Sequence, residues 1–244
     1  MQKLLVITIM LVLTTPGCLD GFKESLVSCD NITGGCRYEI LRGNEYSRIH
    51  IEVNYVTGNA PDSDALNLLK QRIKEVTDKS TVTVSQSSFG STDNSYTLEE
   101  ILDLESSERT EFKDGNTFVV HILYLNGEYS DNDQALGIAY SGTSFVMFKE
   151  KIEDASFLLI SSKDIEKAVI VHEFGHLLGL VNNGYQSPHD HEDPNHPHHS
   201  NNEESVMYWA IESQDIANQL DGEPPNNFDS YDLDDLSLMK QGKL

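Results

Sequence analysis

An α+β fold is predicted by three features of the sequence: a mixed, twisted sheet with a backing helix, and a site-bearing helix above a small irregular C-terminal subdomain. Residues 48–56 alternate apolar and polar, the pattern of a half-buried strand. Residues 117–125 form a nearly continuous apolar run, the pattern of a strand covered on both faces. After the first, Leu66, Leu69, Ile73 and Val76 recur at three- and four-residue steps, as in a helix that packs on a sheet.

The chain opens with segments expected to lie outside that domain. Lys3 precedes an apolar run from Leu4 to Leu13, broken only by Thr8, and Thr14-Thr15-Pro16-Gly17-Cys18 follows. About ten apolar residues are too few for a hydrocarbon core that needs roughly 20, so residues 1–17 read as a signal peptide. Gly17-Cys18 resembles a lipobox, in which the cysteine is lipidated, although Thr15 stands where an aliphatic residue is usual. An exported protein held through Cys18 on the outer face of a membrane is expected, with plain secretion as the alternative. Residues 18–45 read as a tether. Within it Cys29 and Cys36 flank a Gly-rich turn, and an exported chain permits a disulfide between them.

The domain is expected over residues 46–244. Its first strand, Arg48 to Val56, points Ile49, Ile51, Val53 and Tyr55 one way and places His50 on the polar face. Pro61-Asp62-Ser63-Asp64 opens a helix carrying Leu66, Leu69, Ile73 and Val76. A short strand follows at 81–85, then a polar loop at 87–95, then a helix opened by Thr97-Leu98-Glu99-Glu100. The apolar run 117–125 contains His121, read as a core histidine. Ser141-Gly142-Thr143 joins strands at 136–140 and 144–149. A helix is expected from about 164 to 178, with Ser161 as its cap and Asp164 as capping-box partner. Residues 184–205 are too polar to pack a core, and residues 228–239 suggest a closing helix.

Composition bounds the function. The 17 Lys+Arg against 40 Asp+Glu give a formal charge of −23, which repels phosphate backbones and excludes nucleic acid as a partner. A length of 244 residues suits one domain plus a leader, and a monomer is expected.

The chemistry concentrates in His172-Glu173-Phe174-Gly175-His176. Histidines four apart on a helix share one face and can hold one Zn²⁺, while Glu173, about 100° round the helix, can reach a water on that ion. Such a carboxylate is placed to act as general base. In a chain with this many histidines, a chance HExxH is expected on the order of 3 times in 100.

His172 through Leu180 resembles the metzincin pattern HExxHxxGxx, with Gly179 where the chain turns out of the helix. Ser205-Val206-Met207-Tyr208 resembles the metzincin Met-turn, and the whole resembles prokaryotic membrane-anchored metalloprotease lipoproteins. The resemblance implies a zinc-dependent endopeptidase that cuts extracellular proteins or peptides. It also implies a third ligand three residues after Gly179, where Asn182 stands, and an amide is a poor zinc ligand. Among His189, Asp190, His191, Asp193, His196, His198 and His199, His191 is favoured as the substitute, leaving Asp193, His196 and His199 for a second metal. Two other readings stand beside this one. A gluzincin-like site would take Glu203, Glu204 or Glu212 as a ligand, and a surface lipoprotein would bind metal without catalysis.

Overall fold

Strand β1 (Arg48–Val56) is the alternating segment, and it lies inside the main sheet of the computed structural model, which describes residues 28–156, 160–220 and 222–244. Helix α1 (Arg37–Leu41) precedes it, and α2 (Ser63–Val76) returns the chain to β2 (Thr81–Phe89). A two-residue strand β3 (Ser95–Tyr96), helix α3 (Leu98–Glu108), strand β4 (Thr117–Leu125) and the short β5 (Glu128–Tyr129) come next. Then follow β6 (Gly137–Ala139), β7 (Ser144–Phe148), α4 (Lys149–Asp154) and the long α5 (Ser162–Leu177). The C-terminal part holds the hairpin strands β8 (Glu192–Asp193) and β9 (His196–Ser200), a 3₁₀ turn at Trp209–Glu212, α6 (Ile216–Gln219) and α7 (Ser230–Lys240).

The main sheet runs β2-β1-β4-β7-β6. Its first four strands are parallel, and β6 alone runs antiparallel, at the edge beside β7. The predicted α+β architecture with a mixed sheet is therefore the one observed. Parallel strands need crossover helices, and α2 and α3 supply two of them. Beneath the sheet, α2 contributes Leu66, Leu69, Ile73 and Val76 to a core shared with α5, whose Ile165, Val169, Ile170 and Phe174 are buried. Ser161 caps α5, accepting from the Asp164 N–H at 3.2 Å as its sequence predicts.

Two expectations change. Strand β2 reaches Phe89, so part of the polar stretch at 87–95 is strand. It lies at the edge of the sheet, where full backbone pairing with β1 needs no apolar side chains. The second change concerns residues 28–45, which are no tether. Ile40 and Leu41 are fully buried, and the Lys79 ammonium donates to the carbonyls of Glu39 and Arg42, each at 2.6 Å. The Cys29–Cys36 disulfide is formed. Two isolated apolar residues carry no periodicity, which is why this helix was illegible in sequence. The signal peptide over 1–17 and the lipidated Cys18 lie outside the described residues. Among the described residues, no helix is long and apolar enough to cross a membrane.

Candidate metal centre

Helix α5 aims His172 and His176 from adjacent turns of one face, with their Nε2 atoms 3.1 Å apart. His172 Nδ1 is 2.7 Å from the Val206 carbonyl, so it donates there and leaves the Nε2 lone pair free. The third imidazole is His199, on β9. Its ring stacks on His172 with centroids 5.2 Å apart, and its Nδ1 lies 3.0 Å from the Pro197 carbonyl, again freeing Nε2. Glu212 completes the cluster: its Oε1 is 3.3 Å from His199 Nε2, and its Oε2 is 3.6 Å from His172 Nε2 and 4.0 Å from His176 Nε2. One donor atom from each of these four residues falls within 4.8 Å of all the others.

Two imidazole lone pairs facing each other at 3.1 Å repel unless a proton or a cation lies between them. Zinc with nitrogens at about 2.0–2.1 Å sets its tetrahedral ligands roughly 3.3 Å apart, so the donor set fits that ion. Burial, then His172 and His199, hold His176 well below the usual histidine range, which keeps it in the neutral, ligating form. Burial by itself would raise Glu212, but His172 and His199 outweigh it and hold the carboxyl low. For His199 burial pulls the pKa down, but Glu212 outweighs it and holds the imidazole above the usual histidine range.

Glu173 is buried on the next face of α5, and neither of its oxygens has a hydrogen-bond partner. Burial, then the charge of Glu212, pushes it well above the ordinary carboxylate range. It reaches the edge strand: a Cβ at Gly137 of β6 would stand 2.7 Å from Glu173 Oε1. Gly175 has a comparable duty, because a Cβ there would meet Met207 Sδ at 2.2 Å. Met207 therefore lies directly against the helix backbone between the two histidines. It sits in a tight turn, Tyr208 N–H to Ser205 carbonyl, whose Val206 carbonyl is the one that orients His172.

The route from α5 to His199 explains which sequence expectations fail. The helix leaves through Gly179 at φ 73°, followed by Val181 at 55° and Asn182 at 62°. Asn182 does not approach the histidines; it donates to Glu192 and accepts from the Ser187 N–H, both at 2.7 Å, bracing the loop. The expectation of His191 as third ligand is corrected by geometry. His191 is fully buried elsewhere, 3.8 Å from Asp232 and 3.4 Å from Asp235. The β8–β9 hairpin carries the chain out and back, so His199 at its far end arrives where nearness along the chain had pointed to His191. Ser200 N–H donating to the Met207 carbonyl at 2.7 Å pins that arrival. The suggested set Asp193, His196 and His199 is likewise not assembled: Asp193 pairs with His196 at 3.3 Å, while His199 belongs to the first cluster. His196 instead stacks on Trp209, with centroids 4.2 Å apart. A cleft of about 380 Å³ opens beside His199 and Glu212, walled by His196, Trp209, Gln134 and Ser213.

Neither a protein-family model nor a curated protein matches the chain by sequence. Solved structures do match it by shape. An archaemetzincin from Methanopyrus kandleri superposes with a TM-score of 0.54 at 14% identity, covering 78% of this chain and 94% of the other. The chain shares the archaemetzincin fold. An archaemetzincin from Archaeoglobus fulgidus complexed with malonate gives 0.43 at 16% identity, over 77% of this chain and 98% of that one. Metalloproteinase-II from Bacteroides fragilis gives 0.46 at 16% identity, over 82% and 55%. In this archaemetzincin-like frame, the helix with both histidines, the edge strand above it and the turn of Met207 below it stand around one point. Sequence reasoning had named His199 and Glu212 as secondary candidates only. No local signal ranks one histidine of a polar loop over another.

Proposed function

We propose that the chain is a zinc-dependent endopeptidase of extracellular proteins or peptides, with His172, His176 and His199 as ligands and Glu173 as general base. The observation that carries this reading is the buried, unpartnered carboxylate of Glu173 beside three converging imidazoles. A purely structural metal site has no use for such a group. When bound, zinc would supply the Lewis acidity that polarises a peptide carbonyl and makes a water acidic. Glu173 would take the proton from the attacking water and pass it to the leaving amine nitrogen. The Val206 carbonyl holds His172 in the tautomer that ligates. Strand β6, half-exposed at Ile138 and Ala139 and next to Glu173, offers an edge on which an extended peptide can pair. Gly179 at the helix exit and Met207 beneath it support the metzincin reading. Export, and anchoring through Cys18, are supported by the leader pattern and by the Cys29–Cys36 disulfide, which an oxidising compartment permits.

Glu212 favours a second reading. It stands where a catalytic centre keeps its open position, so four protein groups could close the metal and leave a surface lipoprotein that binds metal without catalysis. Cleavage of a mixed peptide library separates the two, with wild type, Glu173→Gln and Glu212→Ala checked for equal zinc. The peptidase reading expects the wild type to cut and Glu173→Gln to lose about 10²–10⁴-fold. Tight zinc in all three proteins with no cleavage by any of them would establish the second reading instead.

A further inference from the structure

The turn after Met207 brings the chain back beside the metal centre. Residues 212–214 run antiparallel there to residues 134–136, the stretch that leads into the edge strand β6. The Leu136 N–H donates to the Glu212 carbonyl and the Gln214 N–H to the Gln134 carbonyl, both at 2.8 Å. Ser213 between them is extended, at φ −103° and ψ 138°. The backbone of Glu212 is thus fixed, and its side chain turns toward the three imidazoles.

Its carboxylate stands where a fourth ligand would. The two oxygens lie 3.3 to 4.0 Å from the Nε2 atoms of His199, His172 and His176. Tetrahedral ligands of zinc are separated by roughly 3.3 Å. Among the described residues, these histidines are the only oppositely chargeable groups within 4.0 Å of Glu212. A catalytic zinc keeps that fourth position for water and substrate. Glu173 nevertheless stays beside the cluster, buried and unpartnered, and a permanently closed site has no use for it. The Glu212 side chain is 33% exposed, and it borders the cleft of about 380 Å³ whose wall carries the amides of Asn132, Gln134 and Asn195. That cleft has room and donors for the carboxylate once it leaves the histidines.

We propose that Glu212 is a built-in latch: its carboxylate fills the fourth position of the metal in the resting protein, and a peptide pairing along β6 displaces it into the cleft. The proposal rests on the peptidase reading and adds regulation to it. Rotation of the side chain suffices for opening, because the backbone pairing of 212–214 with 134–136 stays intact.

The test loads the full chain with Co²⁺ in place of zinc and titrates azide, which binds an open metal position and changes the visible absorption of the cobalt. Cleavage of a peptide library by the zinc-loaded proteins is measured beside it. Glu212→Ala is expected to bind azide about 10-fold or more tightly than wild type, since apparent affinity falls with the fraction of sites that are open. It is also expected to cut faster than wild type, and both results together support the latch. Glu212→Gln takes its place if the alanine variant loses the metal, because an amide is a poor ligand. Equal azide affinity in wild type and variant means an open fourth position, and overturns the latch whatever the cleavage result. Tighter azide binding with slower cleavage by the variant gives Glu212 a part in turnover and overturns the latch too. Tighter azide binding with no cleavage by either protein makes Glu212 a permanent ligand, and removes the latch together with the peptidase reading.

Discussion

Single side chains carry the sharpest consequences. His199 and His191 are eight residues apart in sequence yet belong to different clusters. His199→Ala should therefore empty the catalytic-type centre as fully as His172→Ala does. The loss should exceed the 10–100-fold that an outer-shell change costs, read by competition with a zinc dye. His191→Gln should leave that centre within the outer-shell range, and equal losses for both variants would refute the ligand assignment. Gly137 makes a second test. A methyl group at that position collides with the Glu173 carboxylate 2.7 Å away. Gly137→Ala should cost turnover by roughly 10–10³-fold with zinc content unchanged, because proton transfer depends on the carboxylate's position.

At the level of elements, packing around α5 leaves little slack. Gly175 lies under Met207 Sδ, so Gly175→Ala forces the turn at Ser205–Tyr208 away from the helix. A cost of about 1–3 kcal/mol is expected from such overpacking, seen as a lowered urea midpoint with an unchanged slope. The disulfide-closed N-terminal loop braces the chain just past the same end of the helix. Gly34 stands against the Gly179 backbone, the Gly142 N–H donates to the Asp30 carbonyl at 2.8 Å, and Arg37 donates to the Gly184 carbonyl at 2.8 Å. Closing a loop this short restricts the unfolded chain by about 2.5 kcal/mol, so a Cys29→Ser/Cys36→Ser variant should lose close to that in reversible unfolding.

Over the whole molecule, one buried group makes a pH-dependent contribution of definite sign. His121 is completely buried in β4, its Nε2 2.7 Å from Asn54 Oδ1, and burial lowers its pKa to about 4. The unfolded chain binds that proton near pH 6.5, so between about 6.5 and 4 the unfolded state holds more protons than the folded one. The stability contributed by this group is therefore full above pH 6.5 and is lost as pH drops toward 4. From pH 7 to 5 the loss from this group is about 2 kcal/mol. His121→Gln should flatten that part of the urea-stability profile, and an unchanged slope would show that His121 is not its source. The charge of −23 adds self-repulsion, which salt screens at any pH in this range.

The amino-acid sequence alone determined what rests on near neighbours. Period-two and period-3.6 patterns placed β1 and α2, a continuous apolar run placed β4, and the Ser161 cap with the spacing of His172 and His176 placed α5. Spacing by four put His172 and His176 on one face because a helix turns every 3.6 residues. Only tertiary structure decided what closes over a distance. It placed residues 28–45 in the domain through Ile40, Leu41 and Lys79, whose contacts lie far along the chain. It brought His199 rather than His191 to the two helix histidines, because a hairpin's register and the pairing of Ser200 with Met207 set that arrival. A loop with five histidines between 189 and 199 carries no period to rank them. Which imidazole meets a metal there is settled by where the backbone hydrogen bonds of the hairpin and the Met207 turn are satisfied.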